Sequence, residues 1–111
     1  MEAAPAQIRL VLLSVPDRET GLRLVETLVA ERHAACGSVG AGTTSIYWWN
    51  GQVERADEAL VILKTTDACA ANLLSRAAEL HPYEVPEILV LPLVGGHSPY
   101  LDWVRAEVRP G

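Results

Sequence analysis

The stretch Thr43-Thr44-Ser45-Ile46-Tyr47-Trp48-Trp49-Asn50-Gly51 decides how the rest of this chain is read. Thr43–Trp49 is dominated by β-branched and aromatic residues, the composition of a strand. Asn50-Gly51 follows. Both central residues of a type I′ hairpin turn need φ > 0, which this dipeptide tolerates. The return strand therefore runs from Val53 to Thr66. Its first half is charged (Glu54, Arg55, Asp57, Glu58) and its second half, Ala59–Leu63, is apolar. The first half projects into solvent or a partner, and the second reads as central sheet.

Working outward, Ile8–Val15 is a nearly unbroken apolar run of strand length. Ser14, Pro16 and Asp17 supply helix-start chemistry. Leu24, Val25, Leu28 and Val29 then recur at helical spacing, which predicts a helix from about Asp17 to about His33. Gly37 and Gly40 end it and open a loop. After the hairpin, Asp67 caps a second helix carrying Ala70, Leu73, Leu74, Ala77 and Leu80, and His81-Pro82 stops it. Ile88–Val94 is a fourth strand. Gly95-Gly96 turns, Ser98 caps, and Pro99 takes the first position of a short third helix striped by Leu101, Val104 and Val108. The order β-α-β-β-α-β-α is an α+β, ferredoxin-like double split βαβ with an extra C-terminal helix. Its one antiparallel sheet carries both main helices on one face. Residues 1–7 read as a flexible tail and 8–111 as a single domain.

That arrangement leaves one sheet face bare, although strands one, three and four read as apolar on both faces. The third helix is too short to cover it. The return strand spans about 40 Å at ~3.3 Å per residue, more than a compact domain of this length with a radius of gyration of ~13 Å can contain. An overhanging arm bearing Tyr47, Trp48 and Trp49 reads as gripping a neighbour, with Trp103 sealing the same region. Bare apolar area of this extent implies a homo-oligomer.

Bulk properties narrow the function. The formal net charge is −5, which disfavours nucleic acid and favours cations. No apolar run approaches the ~20 residues of a membrane span. The N-terminus lacks the basic and apolar regions of a signal peptide, so a cytoplasmic location is expected. Two cysteines, Cys36 and Cys69, are too few for a disulfide framework and are expected to stay reduced.

Candidate chemistry gathers in His81-Pro82-Tyr83-Glu84-Val85-Pro86-Glu87, a segment that its prolines keep out of helix. His81 is either a helix C-terminal cation or a metal ligand. Glu84 and Glu87 fall on opposite sides if the segment is extended, a poor pair for two-carboxylate glycoside chemistry. His33 and Cys36 could share a helical face as a metal pair, whereas Cys36 between Ala35 and Gly37 also reads as a small apolar residue. Cys69, in an alanine-rich first turn, reads as packing, and His97 as solvated. No phosphate loop, nucleophile elbow or Cys-x-x-Cys occurs, so no enzyme is expected.

Several ordered motifs resemble the CutA family of divalent-cation tolerance proteins. They are Val15-Pro16-Asp17, Glu31-Arg32-His33-Ala34-Ala35-Cys36, Thr44 to Gly51, Leu63-Lys64-Thr65-Thr66, His81 to Glu87 and Tyr100-Leu101-Asp102-Trp103. The resemblance covers about residues 8–108. It implies a tight homotrimer with strands pairing across subunits, and a link to copper and other divalent cations. It also implies cysteine and histidine ligands, matched here by Cys36 and His81; on the residues alone, Glu84 or Glu87 beside His81 could add oxygen donors. Cys36 would favour Cu⁺ through its soft sulfur. Two further family positions are Leu13 and Leu80 here, so no His-His tandem is available. No obligatory cofactor is implied.

Two functions follow. In the first, a metal-responsive trimer binds ions through His81 and Cys36. In the second, a trimeric small-molecule sensor, on analogy with nitrogen-regulatory PII proteins, binds ligand between subunits at Lys64, Tyr83, His81 and Tyr100. The second rests on fold analogy.

Overall fold

The first strand, β1 (Ile8–Val15), is apolar apart from Arg9 and Ser14, yet its two faces differ. Val11, Leu13 and Val15 are fully buried, whereas Leu10, Leu12 and Ser14 are only partly covered. Successive side chains of a strand point to opposite faces, so one face is sealed and the other is not. In the computed structural model, which describes residues 6–110, this asymmetry organises the whole domain.

After β1 come α1 (Arg18–Ala30), β2 (Cys36–Val39), β3 (Thr43–Trp49), β4 (Gln52–Thr66), α2 (Asp67–Leu80), β5 (Ile88–Pro92) and α3 (Ser98–Glu107). The sheet is antiparallel, with β5 beside β1, β1 beside β4, and β2 and β3 sharing the far side of β4. This is the expected ferredoxin-like order with the added helix.

Five strands form where the sequence reading expects four. β2 falls in the stretch read as a loop. Gly37 sits in it opposite Leu63, so close that a methyl group would meet Leu63 and Val25. The glycine leaves the space that the Leu63 and Val25 side chains fill, rather than ending an element. β2 and β3 are in effect one strand, broken where Gly42 takes φ +75°.

Helix α1 stops earlier than its apolar spacing suggests. Arg32 adopts φ 67° and His33 N–H donates to Leu28 O at 3.0 Å, the six-to-one bond of a Schellman turn. Consequently His33 and Cys36 lie beyond the helix and share no helical face. At its start Asp17 accepts from Thr20 N–H at 2.7 Å, as expected of an N-cap. Three smaller boundaries also move. His97 rather than Ser98 is the N-cap of α3, β5 ends at Pro92, and Leu74 of α2 faces outward.

α1 and α2 cover one sheet face. Leu24, Val25, Leu28, Leu73 and Ala77 pack on Val11, Leu13, Val15, Ala59, Val61 and Leu63. On the other face α3 covers only one end, where Val104 and Val108 join Ile8. Leu10, Leu12, Leu60 and Ile62 are left partly exposed, and Leu89 is half exposed. Ala6 and Gln7 are not loose. The Ala6 carbonyl accepts from Arg105 Nε–H at 2.7 Å and the Gln7 carbonyl from Asp67 N–H at 2.8 Å. The rest of the expected tail, residues 1–5, lies outside the described residues, as does residue 111.

The hairpin turn forms as its sequence demands, with Asn50 at φ 49° and Gly51 at φ 77°. β3 and the outer half of β4 overhang the domain and stretch it to 55 × 26 × 22 Å. Nothing among the described residues covers the arm. Trp48 is 74% exposed and Trp49 58%.

Candidate functional site

The period of two along β4 places Gln52, Glu54, Ala56, Glu58, Leu60, Ile62 and Lys64 on the open face. Ladder register adds Trp49 opposite Gln52, Tyr47 opposite Glu54 and Ser14 opposite Leu60. Trp49, Tyr47, Glu58 and Ser14 from this face line the floor of a cleft of about 770 Å³. The loop after α2 supplies its wall with Pro82, Tyr83, Glu84 and Glu87.

The loop's shape is set by His81. Its side chain is buried, with 6% of the residue exposed. Nε2 lies 2.7 Å from the Ser14 carbonyl oxygen, an acceptor, so Nε2 carries the proton and donates. Nδ1 accepts Tyr83 N–H at 3.1 Å. The Tyr83 ring stacks obliquely on the imidazole, with centroids 4.8 Å apart. Both ring nitrogens are thus engaged in holding the loop to β1, and neither offers a free lone pair to a metal. His81 acts here as a positioning residue.

What it positions are carboxylates. Tyr83 O–H donates to Glu58 Oε2 at 2.8 Å, and Ser14 O–H donates to Glu87 Oε2 at 3.1 Å. Partial burial of the ring, reinforced by the Glu58 carboxylate, pushes the Tyr83 phenol up to about 12. It is therefore a hydrogen-bond donor, not a base, at neutral pH. Glu84 and Glu87 line the same cleft because the chain bends between Pro82 and Val85. The expectation that an extended segment separates them does not hold.

The second cluster lies at the other end of the open face. Cys36 Sγ and Tyr100 Oη are 3.3 Å apart, and the phenol is pushed up to about 12, first by the thiol and then by burial. Cys36 pairs with Lys64 across the ladder. Lys64 is four residues from Leu60, the partner of Ser14, or about 13 Å along the strand. Cys36 and His81 therefore cannot share one ion within a chain. Nor do Lys64 and Tyr100 share a cleft with Tyr83. Trp103 stacks near Tyr100, with centroids 5.7 Å apart, at the end remote from Trp48 and Trp49, so it does not seal the arm within one chain. Cys69 is buried beneath α3, as expected of a packing residue.

Among the described residues no three His, Cys, Asp or Glu side chains come together closely enough to hold a metal ion within one chain. From the sequence, Glu58 reads only as part of a charged, projecting half-strand. Counting by twos from Lys64 is the signal that puts it on the open face.

The comparisons with known proteins agree with this architecture. Residues 9–107 match the family described as CutA1 divalent ion tolerance protein. The chain belongs to the CutA1 family. A divalent-cation tolerance protein CutA from Thermus thermophilus is 45% identical over 95 residues, which is 86% of this chain and 92% of that protein. Among solved structures, the T. thermophilus CutA1 superposes with TM-score 0.89 at 42% identity, covering 92% of this chain and 99% of that one. CutA1 from Oryza sativa gives TM-score 0.93 at 34% identity, covering 98% and 100%. Membership in CutA1 favours divalent-cation tolerance over a PII-like sensor. No helix among the described residues is long and apolar enough to cross a membrane.

Proposed function

We propose that this chain serves divalent-cation tolerance as a cytoplasmic homotrimer that gathers copper or other divalent ions at its subunit boundaries, by binding rather than by catalysis. One observation carries the reading: Glu58, Glu84 and Glu87 line a single cleft on the uncovered sheet face, with no lysine or arginine among its lining residues. Carboxylate oxygens hold divalent cations, and a site with few fixed ligands exchanges its ion readily. Cys36 offers a separate soft donor at the far end of the same face. Assembly is supported by the bare strip of Leu10, Leu12, Leu60, Ile62 and Leu89, and by the exposed arm. Both ring nitrogens of the cleft's buried histidine are taken up by backbone groups, which leaves no free imidazole base there and supports binding over turnover. The acidic chain gives no support to a nucleic-acid or membrane partner.

Calorimetry with Cu²⁺ and Zn²⁺ tests the reading on wild type, Glu58→Gln/Glu87→Gln and Cys36→Ala. The double glutamine variant should lose at least tenfold in affinity for Zn²⁺, and Cys36→Ala should lose affinity mainly for copper under reducing conditions. Equal affinities in all three proteins would sink the proposal.

A further inference from the structure

Lys64 is out of place on the open face. It sits in β4 with Leu10 on one side, Cys36 on the other and Ile62 two residues away. The ion pairs among the described residues use Arg23, Arg32, His33, Arg76 and Arg105, not Lys64. When a neighbour covers this face, an ammonium is removed from water beside leucines and a thiol. Such burial is strongly unfavourable unless an opposite charge arrives with the covering surface.

The same strand carries a complementary charge near its middle, where the overhanging arm begins. Glu58 lies on the same face, six residues or about 20 Å away. A four-carbon stem cannot bridge that distance within one rigid strand. Glu58 has a vacant acceptor. Tyr83 O–H occupies Oε2, and no hydrogen bond engages Oε1 among the described residues. The Tyr83 bond fixes the carboxylate's orientation. The stretch of this face inside the domain thus bears a cation at one end and an oriented anion at the other, with Leu60 and Ile62 between, while Glu54 lies farther out on the arm. Two different, complementary patches on one copy allow a heterologous, head-to-tail contact, which closes into a ring when the rotation permits.

We propose that Glu58 of one copy pairs with Lys64 of the next, so that the acidic cleft of each subunit is closed by the Cys36–Lys64–Tyr100 end of its neighbour. The inference rests on the homotrimer reading above and specifies its contact. It gives Lys64 a counter-charge and brings Cys36 to the rim of a carboxylate cleft, which no single chain does.

The test is a charge swap read by analytical ultracentrifugation across a dilution series. Lys64→Glu and Glu58→Lys should each raise the protomer concentration for half-dissociation at least tenfold, since each sets like charges face to face. The double variant should recover most of the loss. Singles that assemble like wild type, or a double as weak as both losses combined, would overturn the pairing. If a swap variant does not fold, Lys64→Met and Glu58→Gln replace it. Added salt should then weaken wild-type assembly more than that of either neutral variant, and identical salt dependence would overturn the pairing. A monomeric wild type would remove the trimer reading itself. A trimeric wild type whose swap variants behave like it would remove only this contact.

Discussion

Gly37 offers the sharpest check on the packing described above. A methyl group there would lie 2.5 Å from Leu63 Cδ2 and 2.8 Å from Val25 Cγ1. Carbon pairs prefer ~3.5–4.0 Å, so Gly37→Ala needs about 1 Å of relief. Leu63 is fully buried and Val25 nearly so, so neither has free space to retreat into. Overpacking of this kind costs about 1–3 kcal/mol. Alanine in place of glycine recovers roughly 0.5–1 kcal/mol through backbone entropy. With no space for either neighbour to retreat into, the upper part of that cost, about 2–3 kcal/mol, applies, and the expected net loss is about 1–2.5 kcal/mol. Gly95→Ala is the control, since no atom lies within 4 Å of where its methyl group would stand, and its effect should stay within about 0.5 kcal/mol. Urea unfolding followed by tryptophan fluorescence, at one fixed protomer concentration, gives both values. A third variant isolates the cause. Leu63→Ala alone should cost about 2–5 kcal/mol, but at least ~1 kcal/mol less in the Gly37→Ala background, because the new methyl fills part of the space that the leucine vacates. The reasoning fails if Gly37→Ala matches Gly95→Ala, or if the Gly37 and Leu63 losses simply add.

Three further outcomes are expected. Trp49→Asp places a charge on the cleft side of the arm and should lower the mass in solution by light scattering; unchanged mass with unchanged melting would show that the arm meets no neighbour. The Arg76 guanidinium bonds both oxygens of Glu31, at 2.8 and 3.0 Å, and holds that carboxyl below the ordinary carboxylate range. Its stabilising effect is therefore present above the unfolded carboxylate value and lost as pH falls through the lowered one. Urea midpoints taken down an acid series should thus converge for wild type and Arg76→Ala, and a constant gap would contradict the pairing. Tyr83 is shifted the other way, up to about 12. Its contribution is complete below the unfolded phenol value of ~10 and disappears as pH rises toward the raised one. Tyr83→Phe should remove one late-titrating phenol from the ultraviolet difference spectrum and flatten that part of the alkaline stability limb.

Much of this fold is legible because local chemistry and global packing agree. Asn50-Gly51 demands the hairpin, Asp17 caps α1, and the Val11, Leu13 and Val15 face needs a partner that helix spacing supplies. The misses have a common cause, which is that the decisive partner lies far away in sequence. Gly37 looks like a breaker until Leu63 and Val25 stand against it. Arg32 gives no composition signal for its left-handed turn. His81 looks like a ligand until the Ser14 carbonyl, 67 residues earlier in the chain, takes its Nε2–H. Glu84 and Glu87 appear to diverge until the bend at Pro82–Val85 turns both inward. Residue type announces chemistry, but only packing shows whether its lone pairs are already in use.

The two clusters on the open face carry a consequence for tolerance itself. Within one chain Glu58 and the thiol of Cys36 lie about 20 Å apart along the sheet, so a monomer would offer an ion only partial coordination. A boundary that joins them makes binding and assembly a single linked equilibrium. An ion held there at 100 times its dissociation constant would stabilise the assembled form by about 2.7 kcal/mol per site, even if each site is weak. Removing Glu58 and Glu87 should therefore cancel the ion-induced rise in melting temperature while leaving the ion-free trimer in place, provided that Lys64 finds its counter-charge in another acid. If Lys64 depends on Glu58, as proposed, the ion-free trimer weakens as well. Melting curves with and without Zn²⁺ for Glu87→Gln and Glu58→Gln separate these cases. Glu87→Gln should lose only the ion-dependent rise, and Glu58→Gln should also lose baseline stability.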